Sequence, residues 1–381
     1  MIPFARLVKY GNIAPEPSRE IKKVDGGAMH YVILYENGEL YGIGYNSSKQ
    51  LKDCTVNLQY YEFLLLATDV KDVWCGEKST IIYTNDGKYI FNGNYNCLGT
   101  KAKDVLSSQE GDDITAHMPA YNAILKMSIG ENSTHYIHSA NNRVYSRGFN
   151  GDSTVGNGSV ATVAGFTNYT TYTFKDVFAG AYSTVLQGID GYLYGCGNST
   201  YGELGRANRS WPTIVRLDPG AQPTTPFSAT YATTILHNAN RTYTNAGWKL
   251  NGQLADGTVA NTTQTSFMNL SVSLPAVVKY AAHIRRSQYG TNFIYCADNK
   301  FYSTGYNNAN GFPDVKSYFT NLAYLNSLVV DESKLVICGG QNGWTLIFTG
   351  TELYGTGAGS SLFPGKLDTQ NTTFTKVTLP H

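Results

Sequence analysis

Short apolar and aromatic runs recur along this chain, each broken by a polar turn and followed by a glycine. In residues 183–205, the runs 184–187 and 192–194 flank Asp190-Gly191, which supplies the positive φ that a tight hairpin turn requires. Gly195-Cys196-Gly197 follows, where missing Cβ atoms let another backbone come close, and then an Asn-rich loop ends in Gly202-Glu203-Leu204-Gly205. The pattern predicts a β-hairpin with a long loop behind it. Aligned on the last glycine, the unit returns at Gly44, Gly93, Gly148, Gly197, Gly247, Gly305 and Gly357, at intervals of 49, 55, 49, 50, 58 and 52 residues. A period near fifty held through seven copies marks one repeat architecture, so residues 1–381 are read as a single domain.

The turn residues keep step with the glycines. Asn37-Gly38 and Asp86-Gly87 open the series, Asn142 replaces the turn glycine in the third copy, Asp298-Asn299 serves in the sixth and Gly350 in the seventh. In the fifth copy Tyr243 stands four residues before Gly247 where most copies have Tyr three before, and a bulge is expected there. The first run of each hairpin is apolar on both faces, as in a strand held between neighbouring sheets. Between hairpins lie strand-like runs at 61–67, 70–74, 123–129, 172–178, 213–217, 276–281 and 325–330. Two hairpin strands and about two more per connector predict a four-stranded antiparallel sheet for each repeat. Seven such sheets in a ring make an all-β, seven-bladed β-propeller. Residues 374–379, 21–24 and 4–8 are spare strand candidates at the termini, and the N- and C-terminal strands are expected to share one blade and close the ring.

Composition narrows the function. Charged residues are 15% of the chain and the formal net charge is +1, too little for a phosphate-binding surface, so nucleic acid is not an expected partner. Hydrophobic content of 42%, with 29 Tyr and 16 Phe, suits packed strands. The first ten residues hold Pro3, Arg6 and Lys9 and lack the apolar run of a signal peptide. No run approaches the roughly 20 residues of a spanning helix, so no membrane contact is expected. Six cysteines without a C-x-x-C pair read as small hydrophobes.

No constellation for chemistry emerges. His135 and His138 fall on opposite faces of a strand and cannot share a metal. Glu110-Gly111-Asp112-Asp113 lacks the ordered ligand positions of a calcium loop and reads as a solvated loop. Gly-x-Gly occurs at 42–44, 195–197 and 355–357 with no helix behind it to cradle a phosphate. His283-Ile284-Arg285-Arg286 is either an anion contact or a charged blade edge. With no nucleophile elbow either, the reading is a non-enzymatic protein without cofactor, metal or small-molecule ligand.

The fourth copy resembles the repeat of the regulator of chromosome condensation family, roughly G-x-x-H-T-x-x-L-T-x-x-G-x-V-Y-x-W-G-x-N-x-x-G-Q-L-G. Gly180-Ala181-Tyr182-Ser183-Thr184 opens the match, Gly191-Tyr192-Leu193-Tyr194 and Gly197-Asn198 follow, and residues 201–205 close it. Asn251-Gly252-Gln253-Leu254 resembles the same loop in the fifth copy. The family's His-Thr pair stands as Ser-Thr at residues 79–80, 133–134 and 183–184, and its closing loop is lost in copies one, two, three, six and seven. The resemblance implies a propeller whose faces bind partners, as in an exchange factor for a small GTPase, a β-lactamase inhibitor and a plant photoreceptor. It does not carry over an activity, since the photoreceptor's tryptophan cluster has no counterpart among Trp74, Trp211, Trp248 and Trp344.

Ring symmetry singles out the residue after each final glycine: Tyr45, Asn94, Phe149, Asn198, Trp248, Tyr306 and Ala358. The first six form the candidate binding set at one end of the propeller, with packing between blades as the competing role. The expected function is a rigid binding or assembly module for protein partners. Its richness in Asn, Thr, Ser, Tyr and Gly suits a viral or phage virion component such as a tail, fibre or decoration protein, located in the virion or host cytoplasm. The alternative is a cytosolic regulator of a small GTPase or other enzyme.

Overall fold

A computed structural model describes residues 19–52, 59–99, 111–206, 210–217, 227–229, 232–237, 242–270, 273–284, 290–305, 312–340, 344–358 and 370–380. Among these, seven four-stranded antiparallel sheets each take four consecutive strands. The first holds β1 (Ile21–Gly26), β2 (His30–Tyr35), β3 (Leu40–Tyr45) and β4 (Gln59–Ala67), and the second β5 (Val70–Cys75), β6 (Ser79–Thr84), β7 (Tyr89–Gly93) and β8 (Asp112–Asp113). The third holds β9 (Ile124–Ile129), β10 (Ser133–His138), β11 (Val144–Gly148) and β12 (Val163–Thr167), and the fourth β13 (Phe174–Ala179), β14 (Ser183–Gly188), β15 (Leu193–Asn198) and β16 (Ser210–Arg216). The fifth holds β17 (Phe227–Ala229), β18 (Ala232–His237), β19 (Thr242–Trp248) and β20 (Thr263–Leu270), and the sixth β21 (Val278–Ile284), β22 (Thr291–Cys296), β23 (Phe301–Gly305) and β24 (Lys316–Asn321). The last holds β25 (Val336–Gly340), β26 (Trp344–Phe348), β27 (Leu353–Ala358) and β28 (Gln370–Lys376). This is a β-propeller of four-stranded antiparallel blades.

The burial of each strand follows from its place in the blade. Every residue of β2, β14, β22 and β26 is buried, because the second strand is flanked within its sheet and covered by a neighbouring sheet on each face. Fourth strands lie at the rim, and β12 buries none of its five residues fully. The first strands face the axis. β1 lies against β5, β5 against β9, β9 against β13, β17 against β21, β21 against β25, and β25 returns to β1. The innermost strands of six sheets line a central cavity of about 290 Å³.

An innermost strand is a sheet edge, and its outward N–H groups need partners. Side chains of the preceding blade supply them. Asp25 accepts from the Cys75 N–H through Oδ2 at 3.0 Å, Ser128 from the Ala179 N–H at 2.9 Å, and the Tyr280 hydroxyl from the Ile337 N–H at 3.3 Å. The ring is thus laced from blade to blade as well as packed.

The seven aligned glycines all have φ between 109° and 144°, a region closed to most L residues. At six of them the ladder to the fourth strand also shifts register, as between Gly195 and Gly197. A Cβ on Gly197 would lie 2.4 Å from the Tyr182 carbonyl oxygen.

Several expectations need correction. Among the described residues the terminal strands do not share a blade: β28 pairs with β27 and β1 with β2, so each sheet completes its four strands from its own repeat. Closure comes from β25 packing on β1. Residues 325–330 form no strand; the chain makes a 3₁₀ turn at Ala323–Leu325, and Leu325, Leu328 and Val330 reach the core from a loop. Their apolar character serves packing without a ladder.

The fifth hairpin has no bulge between its two strands, since Ala232 to His237 pair continuously with Gly247 back to Thr242. Tyr243 simply stands one position earlier, on the opposite face of a strand with period two, and is buried. Asp112 and Asp113 belong to a strand, and buried Asp112 accepts from the Tyr95 hydroxyl, so the acidic run is not a solvated loop throughout. The candidate strand at 4–8 and Cys54 lie outside the described residues, as do Arg285 and Arg286.

Candidate binding face

The hairpins divide the propeller into two ends with different chemistry. One end carries the turns between second and third strands, where acidic residues are held by tyrosines of the following strand. Tyr194 donates to Asp190 at 2.6 Å, Tyr302 to Asp298 at 2.7 Å and Tyr354 to Glu352 at 2.6 Å. Ion pairs such as Lys88 with Asp86 at 3.0 Å and Lys334 with Glu20 at 2.9 Å use more of the charge there.

The other end carries the links between first and second strands and the longer loops after the third strands. Tyr45, Asn94, Phe149, Asn198 and Trp248 all lie here, each directly after its positive-φ glycine. Backbone bonds pin several of them. The N–H groups of Tyr45, Asn94 and Asn198 donate to the carbonyls of Met29, Lys78 and Tyr182 at 2.8, 3.0 and 2.8 Å. The Phe149 N–H instead crosses to the Asn96 carbonyl of the preceding sheet at 2.7 Å.

Their side chains have different roles. Asn94 caps the 3₁₀ turn Tyr95–Leu98 by accepting from the Asn96 N–H at 2.9 Å, and Asn198 accepts from the Thr200 N–H at 2.9 Å. These two are loop organisers. Trp248 stacks on Tyr201 with ring centroids 4.7 Å apart and planes 8° from parallel, and its indole N–H donates to Asn261 at 3.3 Å. Phe149 is 45% exposed. Tyr45 is half-buried, Ala358 ends β27, and Tyr306 lies outside the described residues.

Two contributors are missing from the sequence-based set. Tyr182, 37% exposed, sits in the link between β13 and β14, and Tyr201 forms the stack with Trp248. The only signal in the sequence is their place in the G-A-Y-S-T and Y-G-E-L-G segments.

The loops at this end are closed by hydrogen bonds from side chains that the motif supplies. Asn46 accepts from the Leu51 N–H at 2.9 Å, Asn150 from the Val155 N–H at 2.8 Å and Ser199 from the Leu204 N–H at 3.1 Å. Each closes its loop on itself. Below the loops runs a buried polar belt between blades, occupied by the Ser-Thr positions of the repeat. Thr134 donates to the Cys97 carbonyl at 2.9 Å and Thr184 to the Thr154 carbonyl at 2.8 Å. His30 Nε2 meets Thr80 at 3.0 Å, while His135 meets Ser146 at 2.8 Å and Thr184 at 3.1 Å. Burial pushes both histidines down to about 3, so they are neutral structural groups. Arg147, also fully buried, joins the third blade to the second through the carbonyls of Leu98 at 2.8 Å and His117 at 3.0 Å.

Among the described residues no group of three His, Cys, Asp or Glu side chains is placed to hold a metal ion, and no helix is long and apolar enough to cross a membrane. The five cysteines described are free thiols, four of them buried.

No family model matches this sequence. Solved structures are similar to it in fold. Human WBSCR16 superposes with a TM-score of 0.67 at 13% identity, covering 86% of each chain. Prp20p of Saccharomyces cerevisiae, described with its binding to Gsp1p and histones, gives 0.65 at 13% identity over 83% of this chain and 80% of that one. The yeast RCC1 (Prp20) bound to Kap60 gives 0.59 at 14% identity, over 93% of this chain and 74% of that one. At these identities the likeness is one of fold, that of the RCC1-type repeat propeller.

Proposed function

From the fold it shares with RCC1-type propellers, we propose that this chain is a protein-binding regulator acting on a small GTPase or a comparable enzyme, without catalytic groups of its own. The observation that carries this reading is that Phe149, 45% exposed, and Tyr182, 37% exposed, stand at the same end of the ring on segments pinned by backbone hydrogen bonds. Rigid, exposed aromatic side chains give large contact area at small entropic cost. The opposite end offers acids and lysines already paired with each other. The Prp20p structures add support by analogy, because that protein is described as binding Gsp1p and histones and as bound to Kap60. The neighbours are eukaryotic proteins and lend no support to the virion reading, which rests on composition alone.

The test is binding and nucleotide release with a panel of purified small GTPases. Phe149→Ala and Tyr182→Ala are expected to weaken binding by about tenfold or more, against little change for Lys88→Ala at the opposite end. Equal affinity for all three variants would reject this face. No GTPase bound at micromolar concentration would reject the partner class.

A further inference from the structure

Four of the first strands carry a one-residue bulge, and the bulged residue is lysine each time. Ile21 and Lys23 pair with successive residues of β2, which leaves Lys22 out of the ladder. The same step leaves out Lys71 between Val70 and Asp72, Lys175 between Phe174 and Asp176, and Lys279 between Val278 and Tyr280. A bulge re-aims the side chain it inserts. Lys22 and Lys23, consecutive in the chain, accordingly both reach the second blade, where Lys22 donates to the Lys71 carbonyl and Lys23 to Asp72, each at 2.8 Å. All four bulged lysines are exposed. In the third blade the bulge holds Leu125, 51% exposed, and β25 of the last blade pairs without one.

First strands surround the axis, so these lysines stand around the mouth of the central cavity, at the end that carries the hairpin turns. They differ from the paired residues of the turns themselves. Lys22, Lys71 and Lys175 make no ion pair among the described residues; Lys71 lies 4.8 Å from the centre of the Tyr121 ring, and Lys279 pairs with Glu332. One residue further in, Lys23 holds Asp72 at 2.8 Å and Lys126 holds Asp176 at 3.5 Å. Glu20, just before β1, is taken by Lys334 at 2.9 Å. Lys22, Lys23, Lys71, Lys126, Lys175 and Lys279 thus outnumber Asp72, Asp176 and Glu332, and the mouth is positive although the whole chain carries only +1.

Inside the mouth, the Tyr280 hydroxyl accepts from the Ile337 N–H at 3.3 Å, and its own proton has no acceptor among the described residues. Burial pushes this hydroxyl up to about 12, so it stays a donor. Lys126 and Asp176 line the cavity beside it, and Asp25 lies farther in, its oxygens accepting from the N–H groups of Gly26 and Cys75 at 2.8 and 3.0 Å.

We propose that this mouth binds a small soluble polyanion bearing several phosphate groups, encircled by Lys22, Lys71, Lys175 and Lys279, with one phosphate directed at Lys126 and Tyr280. Lysine ammoniums serve phosphates as point charges, whereas planar carboxylates favour the arginine fork, and no described first strand carries arginine. The site lies at the opposite end from the aromatic face and is independent of the partner taken there.

Calorimetric titration with inositol hexakisphosphate tests the site. Binding is expected at low salt and should weaken as salt rises. Lys71→Gln and Lys175→Gln together should weaken it about tenfold, while Lys88→Gln and Lys376→Gln, which remove the same charge from ion pairs elsewhere on the blades, should leave it nearly unchanged. No binding at low salt, or an equal loss in both pairs of variants, would overturn the proposal. Lys175 makes no hydrogen bond among the described residues, so Lys175→Gln alone, about threefold weaker, replaces the double variant if that fails to fold. Vesicles carrying phosphatidylinositol 4,5-bisphosphate separate a lipid headgroup from a soluble ligand: retention on them without binding of the soluble probe would also overturn it.

Discussion

Trp344 donates its indole N–H to the carbonyl oxygen of Ala28 at 3.2 Å, joining residues 316 positions apart. The bond ties the last blade to the first, and the Trp344 ring also packs on Tyr31 with centroids 5.8 Å apart. Closing the ring this way puts the seam in the buried core, where Trp344, Leu346 and Phe348 meet Ile21, Tyr31 and Tyr35. Glycine is required beside it: a Cβ on Gly340 would meet the Ala28 oxygen at 1.9 Å.

Trp344→Ala should therefore destabilise by about 3–5 kcal/mol, the range for emptying a large aromatic site. Trp344→Phe keeps most of the packing but orphans the Ala28 carbonyl, and about 1–3 kcal/mol is expected. Denaturant unfolding monitored by far-UV circular dichroism measures both. A phenylalanine variant as unstable as the alanine one would mean that the hydrogen bond does not act as described.

Removing residues 370–381 strips β28 from the last blade. Phe374 then leaves its edge contact with Phe293 at 5.9 Å, and its N–H leaves the Tyr324 hydroxyl at 3.4 Å, both on the neighbouring blade. The thermal midpoint should fall by several degrees. An unchanged midpoint would show that this outer strand contributes nothing to the ring.

Gly197→Val should cost more than about 2 kcal/mol, since it combines a φ of 112° with a Cβ 2.4 Å from the Tyr182 oxygen. Gly165→Ala is the matched control, because its added Cβ meets nothing within 4 Å. A difference of less than about 1 kcal/mol between the two would remove the close approach as the reason for this glycine.

Acid should weaken the fold through the buried histidines. Both His30 and His135 are depressed to about 3 from the ordinary 6.5. Their contribution is complete above pH 6.5 and is lost as pH falls toward 3, because the unfolded chain takes up the protons first. His30→Gln should bring the proton uptake on unfolding at pH 5 down by about one, read from the pH dependence of urea midpoints. No change would place the acid response elsewhere.

The aromatic face shows how far a repeat can be read. Register alone puts Asn94 and Asn198 at one end of the ring, yet both cap their own loops, and this depends on where the following N–H groups lie. Tyr182 stands outside the set because it belongs to the link before β14, a part of the repeat that the alignment on the final glycine does not select, and its exposure is decided by packing. Glu203 stands where the fifth copy has Gln253, and only the fold shows that its side chain is buried.

The hairpins, their turns and the fifty-residue period are legible in the residues alone, because positive-φ glycines and period-two apolar runs act within a few residues of chain. The all-β class and the blade as the repeating unit are legible there too. Tertiary structure alone decided how the ring closes, which N–H groups of the innermost strands are capped by a neighbouring blade, and which polar side chains form the belt between blades. These contacts join residues about fifty or more than three hundred positions apart. Their partners come into reach only once separate blades are packed around one axis.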